Sequence, residues 1–246
     1  MLSPMAPANP YANSLYRISP QALTPASVNN PDGSPEIDLA LSLLGQIKND
    51  PADVAYLKRQ GINLVFDNGA QAQEVIRQKG VKVIFGDMGS SLAHAQWMAD
   101  ANTIMINQRY RGDFSKASLY AISEAIYHEA GHAAWLGDDQ SSLQEELDCL
   151  ALNTLGYRYH VRQDPAFANT ANDSRLIQDG VALYNRLFFD SNDPSLIGLQ
   201  ERMHEKYGSL PAETPDHRIP LMPYLPPIAD RVCRHIQNQN SLNLLG

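Results

Sequence analysis

Three observations predict an α+β chain, a small mixed sheet packed on one long helix and followed by a mainly helical C-terminal part. Short runs rich in β-branched and aromatic residues occur at Ile62-Asn63-Leu64-Val65-Phe66, Val81-Lys82-Val83-Ile84-Phe85 and Thr103-Ile104-Met105-Ile106-Asn107. Residues 115–136 are mostly small, apolar or aromatic, with apolar positions recurring at helical spacing. Beyond residue 172 the patterns are helical, interrupted by one Pro-rich stretch.

The elements follow in order. Residues 1–35 are rich in Pro, Ala, Ser and Asn and end in Asn29-Asn30-Pro31-Asp32-Gly33-Ser34-Pro35. Such a segment buries little apolar surface and is expected to be flexible or to hug the surface. The domain proper is expected over 36–246. Ile37, Leu39, Ala40, Leu41, Leu43 and Leu44 predict a first helix, with Pro35 and Glu36 in its opening turn. Pro51 to Gln60 predicts a second. Ala70 to Lys79 predicts a third, closed by Gly80 between the first two strands. Phe85-Gly86-Asp87-Met88-Gly89-Ser90-Ser91 has neither the spacing nor the Lys of a phosphate-binding loop, and reads as a turn capping a helix. Gly137-Asp138-Asp139 breaks the long helix, and Ser141 or Ser142 caps another running to about Leu155. Helices near 173–189, 195–206 and 227–238 make up a C-terminal extension, 172–246, with Pro211 to Pro227 separating the last two.

Lys and Arg number 19 against 27 Asp and Glu, a formal net charge of -8. With no basic block, this balance argues against nucleic acid and anionic membrane surfaces as partners. No run approaches the roughly 20 apolar residues of a membrane span. Met1 to Pro10 has neither the basic nor the apolar stretch of a signal peptide. The two cysteines, Cys149 and Cys233, make no disulfide framework. A reduced, cytoplasmic setting is expected, with export by a route that needs no such signal left open.

His128-Glu129-Ala130-Gly131-His132 fits the H-E-x-x-H pattern. Residues four apart on a helix share a face, so His128 and His132 can reach one zinc ion. Glu129 stands beside them as a general base toward a zinc-activated water. Leu119, Ile122, Ile126, Ala133 and Leu136 form one apolar stripe at 100° per residue, and Glu129 lies inside it. A carboxylate in an apolar stripe is costly unless partnered, and a metal centre supplies such a partner.

A catalytic zinc takes three protein ligands and keeps one position open. The third ligand is sought in Gln144-Glu145-Glu146-Leu147-Asp148-Cys149, whose helix should fold back onto the motif helix. Leu143, Leu147, Leu150 and Ala151 define its core stripe; Glu145 lies nearly opposite and Glu146 near the edge. Glu145 is therefore the first choice and Glu146 the second. Asp138, six residues after His132, has the metzincin spacing, but Trp135 stands where that pattern wants Gly. Cys149 is the fourth candidate, against its reading as a small buried residue.

The arrangement resembles the gluzincin-type zinc metallopeptidases, whose third ligand is a glutamate on a following helix. The resemblance covers roughly residues 81–157, and Thr103 to Asn107 is similar to the strand before the motif helix in small members. The short gap from His132 to Glu145 resembles that of compact cytoplasmic peptidases related to the phage repressor-cleaving and radiation-response regulators. The resemblance implies a zincin-like fold, bound Zn2+ and a peptide or protein substrate. Gluzincins commonly carry Asp or Asn four residues after the ligand glutamate, supporting a histidine; counted from Glu145 that position is Cys149. Asp148 takes that role only with Gln144 at the ligand position. An oxyanion donor is sought among Tyr157, Tyr159, His160 and His217. Two other classes stand beside the peptidase: a non-catalytic zincin-like protein that binds a peptide or protein, and a zinc amidohydrolase of the deformylase type. The latter takes an upstream cysteine ligand, and no cysteine precedes His128.

Overall fold

The computed structural model describes residues 29–89, 93–135, 142–170, 188, 192, 196–208 and 210–212. The architecture is α+β: α1 (Pro35–Gln46), α2 (Pro51–Arg59), α3 (Gly69–Lys79), β1 (Lys82–Gly86), β2 (Ala95–Met98), β3 (Thr103–Asn107), α4 (Lys116–Ala134), α5 (Leu143–Gln163), the short α6 (Phe167–Thr170) and α7 (Leu196–Tyr207).

Helix starts follow local chemistry. Pro35 opens α1 with Glu36 and Asp38 in its first turn. Asp50 caps α2, Asn68 caps α3, Ser115 caps α4 and Ser142 caps α5, each accepting from an amide of the first turn. Gly80, at φ 61°, ends α3 in the left-handed conformation that glycine adopts without Cβ strain.

The sheet order is β1-β3-β2, with β3 parallel to β1 and antiparallel to the edge strand β2. Val83 and Phe85 from β1 and Ile104 and Ile106 from β3 enter the main core with α1, α3 and α4. Every residue of α4 from Tyr120 to Ala134 is buried, as its composition predicts. A second cluster, including Leu57, Ile62, Leu147, Leu150, Leu199 and Met203, joins α2, α5 and α7.

Four expectations change. Ile62 to Phe66 is not a strand: Ile62, Val65 and Phe66 are buried, but the segment joins no ladder, and the Asn63 amide donates to Asp148 Oδ1 at 2.9 Å. A short apolar run fills a core equally well as an extended connection. The turn after β1 leads into β2, not into a helix; four residues are too few for a period-2 signal. The fold begins before residue 36. Asn29 Nδ2 donates to the carbonyls of Ile76 and Val81, Val83 donates its amide to the Asn29 carbonyl, and Asn30 is fully buried. Finally, α5 continues past Leu155 to Gln163, since Tyr157 and His160 keep a buried face. The predicted helix 195–206 is found as α7. Those at 173–189 and 227–238, the Pro211–Pro227 stretch beyond Ala212, and residues 1–28 lie outside the described residues, Phe188 apart. Among the described residues no helix is long and apolar enough to cross a membrane.

Candidate metal centre

The α4–α5 interface sets the site. At Gly131 an added Cβ would lie 2.7 Å from Cys149 Sγ and 3.0 Å from Leu152 Cδ1, so the two helices meet there without room for a side chain. This close approach brings the first turn of α5 against the last turns of α4.

His128 and His132 are both buried, and their Nε2 atoms stand 3.1 Å apart. Glu146 reaches both: its Oε2 is 3.7 Å from His128 Nε2 and its Oε1 3.6 Å from His132 Nε2. Ligand atoms of these three residues all lie within 4.8 Å of one another. Two donors held tetrahedrally at about 2.1 Å from one zinc are about 3.4 Å apart. Two imidazoles and a carboxylate at these separations fit such an ion in donor type and spacing.

Glu145 takes a different place. Its Oε1 is 2.5 Å from His132 Nδ1, the ring nitrogen opposite the one that faces Glu146. The geometry therefore gathers Glu146, the second choice from sequence, with the two histidines, and sets Glu145 behind one of them. The apolar stripe of α5 does not resolve this. From Leu143 to Tyr157 only Glu145 and Glu146 are less than buried, so a polar-to-apolar boundary does not choose between them.

Cys149 lies beside His132, but burial pushes its thiol up to about 12, which keeps it a protonated packing residue against Gly131. Asp148 accepts from the Asn63 amide and from Gln144 Nε2, and so ties α5 to the 61–63 connection. Asp138 lies outside the described residues. Around His132, burial works against the charged ring, but the carboxylates of Glu146 and Glu145 raise its pKa above the ordinary imidazole value. The cluster favours positive charge at its centre.

Glu129 is buried beside this group. Burial raises its carboxyl to about 7; His132 and the Trp97 amide pull it down, and Glu146 pushes it up. The amide of Trp97, on β2, donates to Glu129 Oε2 at 2.7 Å. β2 is thus the strand that borders the site, and Thr103–Asn107, the strand that resembles the one before the motif helix, is the central strand. The one hint was Trp97, a large aromatic residue shortly before a recognised strand.

The expected oxyanion donors are elsewhere. Tyr157, Tyr159 and His160 lie 11 to 14 residues beyond Glu146 on the same helix, roughly 16 to 21 Å away along its axis. Burial lowers the His160 pKa to about 3. Its neutral ring stacks on Tyr120 and its Nε2 pairs with Ser123 Oγ at 2.9 Å. It is a satisfied core histidine. His217 and His235 are outside the described residues. His94 pairs with the Tyr110 hydroxyl, and His204 with the Gly208 carbonyl.

One turn before His128, Glu124 is buried and its Oε1 finds no hydrogen-bond donor among the described residues. Burial raises its pKa well above the ordinary 4.5. It binds its proton more tightly when folded, so its destabilising effect is absent below about pH 4.5 and grows as pH rises. Glu124→Met is expected to stabilise the fold by about 1–3 kcal/mol near pH 7. The gain should shrink toward pH 4. Urea denaturation across that range checks it, and a gain independent of pH would count against the buried carboxyl as its source.

No protein-family model, no curated protein and no solved structure matches the chain.

Proposed function

We propose that the chain is a zinc-dependent metallopeptidase of zincin-like fold, with zinc held by His128, His132 and Glu146 and with Glu129 as general base. One observation carries the reading: two imidazole nitrogens and a carboxylate converge beside a buried second carboxylate, at an edge strand. A purely structural zinc needs no base, and a closed structural site takes four protein ligands. When bound, zinc supplies Lewis acidity toward a carbonyl and activates water for attack at neutral pH.

The residues of the chain do the rest. Glu129 takes the proton of the attacking water and passes it to the leaving amine. The Trp97 amide holds Glu129 Oε2 and so orients that carboxylate. β2 offers its outer edge for main-chain pairing with an extended polypeptide, which would run past Glu129. That edge favours a peptide over a small amide as substrate.

The test is metal content and cleavage together. Full-length protein prepared with excess zinc should retain one zinc per chain after gel filtration. His132→Ala and Glu146→Ala should retain little. The parent should cut members of an unfolded-polypeptide mixture read by mass spectrometry, and a chelator should stop the cutting. Absence of zinc from the parent, or cleavage unaffected by its removal, would sink the reading.

A further inference from the structure

Glu145 sits where neither a metal ligand nor an ordinary surface carboxylate would sit. Its side chain is only 12% exposed, and its Oε1 meets His132 Nδ1 at 2.5 Å. A carboxylate is acceptor-only, so the ring nitrogen donates. With the proton on Nδ1, the Nε2 lone pair is directed to the side where His128 and Glu146 lie. A histidine that donates its other N–H to a carboxylate is fixed in tautomer and ring orientation and becomes a more basic ligand.

The turn that carries Glu145 is itself held. The Glu145 amide donates to Ser142 Oγ at 3.1 Å. The amides of Leu143 and Gln144 donate to the carbonyls of Pro211 and Ala212 at 2.8 and 3.1 Å. These three amides at the start of α5, which have no partner within the helix, are therefore all satisfied. The backbone that carries both carboxylates is held by these bonds. No other carboxylate of the turn takes this role: Glu146 faces the two Nε2 atoms, and Asp148 faces Asn63 and Gln144. The position four residues after Glu146 is Leu150, buried in the second core cluster.

We infer that Glu145 is a positioning residue: through Nδ1 it holds His132 in the tautomer and orientation that binds the metal, while Glu146 is the ligand. This rests on the zinc site proposed above. The assignment reverses the order of the two glutamates that helix geometry suggests, and it separates two adjacent carboxylates into two roles.

The experiment measures zinc affinity of the full chain by competition with a chromophoric chelator, for the parent, E145A, E145Q and E146A. Thermal unfolding of each metal-free protein and the absorption spectrum of each cobalt(II) form are recorded alongside. E145A is expected to bind one zinc per chain with affinity lowered about 10- to 100-fold. Its metal-free midpoint should stay within a few degrees of the parent's, and its cobalt bands should keep their intensity. E145Q keeps an oxygen acceptor but not the charge, and should fall between the parent and E145A. E146A should lose stoichiometric binding and the cobalt bands. Parental affinity in E145A or E145Q overturns the role. So does a loss of affinity matched by collapse of the metal-free protein, since that marks a packing role. If E145A loses stoichiometric binding while E146A keeps it, Glu145 is the ligand and the assignment is reversed. If E145A does not fold, E145Q decides on the same criterion. A parent that binds no zinc removes the site itself, an outcome distinct from any of these.

Discussion

Glu129→Gln is expected to keep its zinc and to lose peptide hydrolysis by about three orders of magnitude, within the roughly 10²–10⁴-fold that a positioned acid–base group contributes. The amide is nearly isosteric with the carboxylate, and its oxygen can still accept from the Trp97 amide, so the fold and the ligand set should be undisturbed. What it cannot do is take a proton. The pH profile carries a second signature. Burial holds the Glu129 carboxyl near 7 in the metal-free protein. A dication beside it favours the charged form and lowers that value. Activity in the parent should therefore fall as pH drops below neutrality, because the base becomes protonated. That limb should be missing from any residual activity of the variant. Unchanged turnover in Glu129→Gln, with zinc content confirmed, would remove Glu129 as the base and leave the metal assignment intact.

Gly131→Val should have the largest effect on the fold. Glycine inside a helix costs up to about 1 kcal/mol relative to alanine, so its place in the last turn of α4 needs a reason. The reason is the approach of α5: any Cβ there meets Cys149 Sγ at 2.7 Å and Leu152 Cδ1 at 3.0 Å. Overpacking of a tight interior costs typically 1–3 kcal/mol and sometimes more, and a branched side chain adds two methyl groups to that clash. A loss of at least about 2 kcal/mol is expected by urea denaturation. Zinc affinity should fall with it, because His128 and His132 lie on α4 and Glu146 on α5. Gly131→Ala should be milder. Cys149→Ala should partly rescue it by removing the nearer atom, so the pair should be non-additive. Parental stability and zinc content in Gly131→Val would show that the helices do not need this contact.

The legible parts of the site are those that depend on a few neighbouring residues. His128, Glu129 and His132 form a group through the i, i+4 geometry of one helix, and the apolar composition of residues 117–136 already implies that this helix is buried. The Ser142 cap, the Gly80 stop and strands β1 and β3 follow in the same way from local chemistry. The less legible parts depend on how elements rotate and meet. Glu145 and Glu146 differ by one residue, or about 100° around a helix. On a helix buried almost all round, hydrophobic pattern does not choose between them. β2 is four residues long, and its relation to Glu129 is made by a backbone amide, which no side-chain pattern encodes. Tyr157 and His160 have side chains suited to an oxyanion donor, but α5 carries them to the far end of the interface.

The amino-acid sequence by itself therefore determined the α+β class, the motif helix and the presence of two histidines and a glutamate on it, because helical periodicity and capping act over one or two turns. Only the tertiary structure decided which glutamate of α5 faces the two Nε2 atoms and which the Nδ1 of His132, which strand borders them and which residues stand too far away. Those outcomes depend on the rotation and separation of α4 and α5, whose close approach at Cys149 and Leu152 is permitted by the missing side chain of Gly131.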